Sequence, residues 1–254
     1  TEDGSLTLDG GNDTAGIEAT GNIRLETRES DAVADADLTL KAKVESTAGS
    51  ISILSADSIT QTFAEGTEDG DIAVSGGTGT IDLHAADSIT MADGTLTSTH
   101  DGDIRLATDT GSVALSEIVA DSETGDNTIS LVAATSITDN DATDDVDLTA
   151  SNLRIAAGTF AGEGTDHLDT TVQTVTAHTA DGGLYLTETN ALTIARLPEF
   201  TVARVDVDGT NADTTNDPVD AAQEDLSVTG GHLVTLTEDG SLTLDGGNDT
   251  AGIE

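Results

Sequence analysis

The sequence predicts an all-β chain wound as a parallel β-solenoid, and three observations carry that prediction. Apolar and polar side chains alternate with a period of two almost throughout, with no sustained period of 3.6. An eighteen-residue stretch, TEDGSLTLDGGNDTAGIE, occurs twice letter for letter, at residues 1–18 and 237–254. A shorter element inside it, T-x-D-G-x-h-x-h with h aliphatic, recurs as TEDGDIAV (67–74), THDGDIRL (99–106) and TADGGLYL (179–186). A repeat nested in a repeat is the signature of units that bury a core only by stacking on one another. The expected organisation is residues 1–236 as one period of a tandem array and 237–254 as the start of the next, identical copy. On that reading the chain is an interior slice of a longer protein.

Composition supports a thin core rather than a bulky one. The aromatic residues are Phe63, Phe160, Tyr185 and Phe200, with no Trp and one Met, Met91. Ile, Leu, Val, Ala and Thr are abundant and favour strands. Acidic residues number 49 against 8 basic ones, a formal charge of −41, which disfavours nucleic acid and anionic membrane as partners. Such a surplus suits a solvated exterior, adaptation to high salt, or storage of divalent cations. Stacked strands lie about 4.8 Å apart, inside the Debye length of about 8 Å at physiological ionic strength, so carboxylates on neighbouring coils repel unless salt or metal intervenes. The absence of Cys removes disulfides, thiol catalysis and thiolate metal sites. No segment approaches the ~20 apolar residues of a membrane span.

Taken in order, the inward apolar pairs begin Leu6 and Leu8, Ile23 and Leu25, Leu38 and Leu40, Ile51 and Ile53, each after a Gly, Asn or Asp corner. A second motif, ISILSADSIT (51–60), IDLHAADSIT (81–90), ISLVAATSIT (129–138) and the looser LYLTETNALTI (184–194), keeps eight residues between its two strands. Sides of eight or nine residues predict about ten to thirteen coils per period, rising roughly 50 to 60 Å. Glycine at the D-G corners, Gly4, Gly70, Gly102, Gly182 and Gly240, is expected to supply positive φ. Ser52, Asp82, Arg105, Ser130 and Tyr185 are expected to point outward and line the rod. Residues 198–223, with both prolines, read as a long loop leaving the rod. Smaller excursions are expected at 139–145 and 158–169.

The units DGDIRLATDTGSVAL, ISLVAATSIT and DGGLYLTETNALTI resemble the repeats of large bacterial exoproteins of the filamentous haemagglutinin type. The resemblance implies a right-handed parallel β-helix, export, and an adhesive or matrix role; it transfers no catalytic residue. The long near-perfect period and the acidity depart from that family's shafts.

Calcium is the candidate cofactor. DVDGTNAD (206–213) sets Asp206, Asp208, Asn211 and Asp213 around Gly209, part of an oxygen-ligand loop without the closing Glu of an EF-hand. LDGGNDTAG departs from the calcium-binding nonapeptide, because Asp13 stands at its third Gly and the unit does not recur. Asn12 and Asn248 begin N-D-T sequons. A carbohydrate-active enzyme needs carboxylates beside basic groups and aromatic platforms; bases and aromatics are scarce, and His84, His100, His167, His178 and His232 fall at unrelated positions, so no enzyme is expected. The alternative fold is a pair of tandem Ig-like β-sandwiches, whose cores carry larger aromatics. The functional expectation is a structural extracellular filament, stalk or sheath at the cell surface, whose partners are further copies of itself and a surface or matrix. The alternative is a calcium-dependent cell-surface adhesin.

Overall fold

The computed structural model describes residues 2–10, 15–29, 36–120, 125–141, 145–246 and 252–253. Both sequon asparagines lie outside them, as does part of the 139–145 excursion. The described chain is all-β apart from one 3-10 turn at Thr214–Asn216. A single 25-stranded sheet, parallel in its pairings, holds nearly all of the strands.

Each strand pairs with one that comes a full pass of the chain later. Leu6–Leu8 lies beside Leu38–Leu40, followed by Ile59–Gln61, Ile89–Met91, Val113–Leu115 and Ile137–Asp139; we term this column face 1. Phe160–Ala161 and the starts of Gly183–Glu188 and His232–Thr237 continue it. Face 2 stacks Ala15–Ala19, Lys43–Ser46, Ile72–Val74, Leu96–Thr99, Glu117–Ala120 and the first halves of the long strands Leu148–Ala157 and Leu168–Thr179. Face 3 stacks Ile23–Arg28, Ile51–Ser55, Ile81–Ala85, Ile104–Thr108, Thr128–Ala133 and the second halves of the same long strands. Three faces per pass bring the sheet nearly closed around an axis, a solenoid-like arrangement.

Face 1 counts nine levels, fewer than the ten to thirteen expected. Along face 1 a pass takes from 21 residues, Leu38 to Ile59, up to 49, Gly183 to His232, because the corners, and in the last pass the segment 195–225, absorb more chain than uniform sides allow. Eight rises of about 4.8 Å give roughly 40 Å of axis rather than 50 to 60 Å.

In-register stacking turns the period-two pattern into aliphatic files. Ile51, Ile81, Ile104, Ile129, Leu153 and Val175 form one on face 3, all fully buried. Each such side chain removed from water contributes roughly 1.5–3 kcal/mol. Aliphatic side chains of modest size suffice because each rung needs to meet only its neighbours above, below and across the narrow interior.

The corner glycines are required, though mostly not for the reason expected. Of the five named above only Gly4 has positive φ, at 118°. Gly102 stands at the end of a ladder, Gly21, Gly49, Gly79 and Gly102, each two residues before a face 3 strand. A Cβ on Gly102 would lie 1.9 Å from the Gly79 carbonyl oxygen, and one on Gly79 2.4 Å from that of Gly49. Backbone runs against backbone here, so a side chain has no room.

The nested motif is not tied to one side of the coil. Its apolar pair is Leu6 and Leu8 on face 1, Ile72 and Val74 on face 2, Ile104 and Leu106 on face 3. Consequently the second LTL, Leu242–Leu244, stacks on Leu192–Ile194 over face 3, not in line with Leu6–Leu8 on face 1. The expected excursion at 158–169 is largely absorbed into the stack: Phe160–Ala161 is a face 1 strand, and a tight bridge between Glu163 and Asp166 turns the corner.

Candidate functional site

Residues 195–225 do leave the stack, but they return along it. Ile194 pairs with Val175 and Leu226 pairs with Ala177, so this segment replaces the single residue Thr176 of the level below. It forms a narrow antiparallel arm, held by the bridge Leu197 to Gln223 and by Phe200–Thr201 against Val219–Asp220. Residues 203–207 alternate apolar and polar side chains yet form no strand, because this stretch bonds to face 3 instead of to a sheet partner.

The outward row of face 3 receives the arm. In register it reads Arg24, Ser52, Asp82, Arg105, Ser130, Arg154. Gln223 Nε2 donates to Ile155 O at 2.7 Å, and Arg154 Nε to Ala221 O at 3.3 Å. Asp220 accepts from Arg105 Nε at 3.0 Å, Arg105 Nη2 at 3.1 Å and Ser130 Oγ at 2.7 Å. Arg204 Nε donates to Asp82 Oδ2 at 2.6 Å, Val205 N–H to Ser52 Oγ at 2.9 Å, and Arg24 to Val205 O. The contacts run from the sixth level to the first. Ser52, Asp82 and Ser130, expected to line an open surface, are fully buried beneath the arm, and the arm's own Val202 and Val205 are fully buried too.

Four of the eight basic residues, Arg24, Arg105, Arg154 and Arg204, sit in this seam. Burial works to raise the Asp220 carboxyl, but the Arg105 hydrogen bonds and charge, with Ser130 and Arg154, hold it below the usual carboxylate range. Burial lowers the Arg154 guanidinium despite the Asp220 charge.

The predicted calcium residues lie at the arm's tip. Asp208 Oδ1 accepts from Thr210 N–H at 2.9 Å and Thr210 Oγ1 at 2.8 Å, and Asp213 Oδ1 from Thr215 N–H at 3.1 Å. Asp206 Oδ2 accepts from Asp213 N–H at 2.9 Å, and Asn211 Nδ2 reaches Ser50 Oγ at 3.2 Å. Hydrogen bonds from Thr210 and Thr215 hold the Asp208 and Asp213 carboxyls below the ordinary range. Asp206, Asp208 and Asp213 border a cleft of about 620 Å³ shared with Arg24 and Arg204. They cap turns, and the arrangement does not bring three carboxylates to one point.

A three-carboxylate convergence does occur elsewhere. Asp139, Asp141 and Asp147 present oxygens within 4.8 Å of one another at the corner between faces 1 and 2. Asp147 is fully buried; its Oδ2 accepts from Asp169 N–H at 2.7 Å. Two like charges at that separation repel by roughly 3 kcal/mol at an effective dielectric of about 20. Burial first, then the neighbouring carboxylates, raises Asp147 to about 9 and Asp139 to about 6. In the sequence Asp139 and Asp141 belong to the polar 139–145 excursion and Asp147 lies beyond it, so no spacing motif joins the three.

Asp147 also belongs to a recurring device. In five places the residue just before a strand accepts the backbone N–H of the following level: Asn22 from Ser50, Asp37 from Ser58, Asp71 from Leu96, Asp103 from Thr128 and Asp147 from Asp169. This explains the second Asp of D-G-D. Burial raises Asp71 to about 6, against the Leu96 hydrogen bond, and raises Asp103.

These carboxyls set a pH dependence. A folded-state pKa above the ordinary 3.8 means that the folded chain binds more protons than the unfolded one between the two values, so stability falls as pH rises through that window. Asp220, held low, acts oppositely: its contribution is complete above the ordinary value and is lost as pH falls through its depressed folded value. Without divalent cations, the thermal midpoint is therefore expected to be higher at pH ~5.5 than at pH ~8. It is also expected to rise between ~10 mM and ~2 M NaCl beyond general salting-out. Midpoints flat in both pH and salt would contradict this account of the acidic corners.

Searches against protein-family models, curated proteins and solved structures each return no match to this chain. At the level of class, the chain defines itself by its fold: an acidic, all-β, solenoid-like parallel stack with an arm clasped along one face.

Proposed function

We propose that the chain is one period of a structural extracellular filament, stalk or sheath, a right-handed parallel β-helix built of tandem acidic copies that partner one another end to end at a cell surface. The observation that carries the reading is the pair of identical eighteen-residue segments, whose LTL triplets both form parallel strands and stack onto opposite ends of the pile. The arm adds a brace that ties six levels together along the axis. The resemblance to haemagglutinin-type exoproteins and the cysteine-free composition agree with export.

The test is small-angle scattering from chains of one, two and three periods. Each added period is expected to lengthen the particle by about 40 Å at constant cross-section, from ~4.8 Å per level. Beads on a flexible string, or a cross-section that grows with copy number, would sink the filament reading. A calcium-dependent adhesin is the second reading, favoured by the convergent carboxylates at the corner between faces 1 and 2.

A further inference from the structure

We propose that Asp139, Asp141 and Asp147 form a calcium site that fastens the corner between faces 1 and 2, distinct from the DVDGTNAD loop of the arm. Three carboxylates converge within 4.8 Å, and the arrangement is local, the ligands spanning nine residues of one corner. A cluster of this kind is common on acidic surfaces without an ion, so the argument turns on Asp147. That side chain is fully buried, its Oδ2 is engaged by Asp169 N–H, and its Oδ1 is buried with no hydrogen-bond partner. With Oδ2 committed, Oδ1 is the oxygen left for Asp139 and Asp141. A buried carboxylate oxygen without a donor is costly unless a proton shared with Asp139, or a metal ion in its place, meets it.

Among the described residues, no basic side chain lines the space beside the cluster. The adjoining cavity, about 360 Å³, is lined by Asp93, Glu117, Asp141 and Asp145 with Thr95 and Ser116, and no basic residue borders it. Room for water beside an all-oxygen, all-acidic set matches the coordination habits of a hard divalent ion. Calcium, which accepts six to eight oxygens in flexible geometry and tolerates several waters, fits better than zinc, which prefers nitrogen and sulfur. Asp141 N–H donates to Asp139 Oδ1 at 2.9 Å, which holds the first two ligands in a fixed relation. Since Asp147 also accepts from the next level, an ion bound here would couple the excursion after face 1 to the start of face 2 and to the level above.

The test uses the whole chain, stripped of metal with a chelator and titrated with CaCl2 by calorimetry and thermal melting, ionic strength held constant with NaCl. One saturable site is expected, with a Kd of roughly 10⁻⁴ to 10⁻³ M, as in extracellular calcium modules. Asp147→Asn and, separately, the half-exposed Asp141→Asn are each expected to weaken binding at least tenfold, with circular dichroism confirming that both fold. An arm variant, Asp206→Asn with Asp208→Asn, is expected to bind as the parent does. Absence of a saturable response up to ~10 mM CaCl2, retention of it in both corner variants, or its loss in the arm variant would each overturn the assignment.

Discussion

Replacing Gly102 with valine is expected to destabilise the chain by roughly 4 kcal/mol or more, enough to unfold a domain of ordinary stability. A Cβ at that position falls 1.9 Å from the Gly79 carbonyl oxygen, and 2.8 Å from its carbonyl carbon, so the stack itself must part. Both contacts are backbone, which cannot rotate aside as a side chain does, and moving one level displaces every level above it. The control sits in the same ladder: a Cβ on Gly21 meets nothing within 4 Å, and its φ is not in the left-handed region. Gly21→Ala is therefore expected to change stability by less than about 1 kcal/mol, in the stabilising direction, through the unfolded state. Denaturant unfolding of the two variants reads the difference. Equal midpoints would remove the close-approach explanation of the corners.

The second large effect is expected at Asp220. Its carboxylate is the anionic centre of the seam, meeting Arg105 twice and Ser130 once, with Arg154 Nη1 at 3.9 Å. Asp220→Ala leaves Arg105 with only its longer contact to Asp82 Oδ1, at 3.4 Å, and Arg154 mostly buried without a carboxylate, a change that costs roughly 3–5 kcal/mol when a buried ion pair loses one member. Asp208→Ala at the arm's exposed tip, where only local turn bonds are lost, is expected to unfold at nearly the same denaturant concentration as the parent. Limited proteolysis gives an independent reading, because an arm freed from face 3 exposes residues 195–225 as a long loop. If Asp220→Ala and Asp208→Ala unfold at the same denaturant concentration and are cut equally slowly, the arm is not fastened by this network.

Much of the stack was legible in the sequence, because stacking makes local and global order coincide. The eight-residue interval from Ile51 to Ile59 is the passage from face 3 to face 1, and Ile81 to Ile89 and Ile129 to Ile137 repeat it in register. Alternation sorted inward Ile53 from outward Ser52 correctly. What alternation could not say is what covers the outward side. Ser130 and Asp82 look like surface residues in their own strands and are buried by a segment more than a hundred positions away for Asp82 and ninety for Ser130. That long-range choice is written in charge: the chain spends half of its scarce arginine and lysine on one seam.

The site was read less well, for a related reason. DVDGTNAD looks like a ligand loop because its acids are close in sequence, yet each acid there turns back to cap its own turn. At Asp139, Asp141 and Asp147 the spacing is looser, and it is the corner that folds the acids together. Coil number was overestimated because apolar intervals measure the flat sides and say little about how much chain a corner consumes. Gly102 was read as a corner needing positive φ and Asp103 was not singled out, because the reason for each lies in the adjacent level: a carbonyl pressed against the glycine and an N–H bonded to the aspartate.

The claim on which all of this rests is that consecutive passes stack parallel and in register, and the absence of cysteine allows it to be tested cleanly. Thr60 and Thr90 are register partners on neighbouring levels of face 1, while Thr39 is the partner of Thr60 on the level before. Neighbouring levels are about 4.8 Å apart, within the span a disulfide bridges, whereas two levels are about 9.6 Å apart and beyond it. Thr60→Cys with Thr90→Cys is expected to oxidise to an intramolecular disulfide in the folded chain, and so is Thr39→Cys with Thr60→Cys. Thr39→Cys with Thr90→Cys is expected to stay reduced. Linking of the distant pair in preference to the adjacent ones, or linking of none, would contradict the stacked architecture.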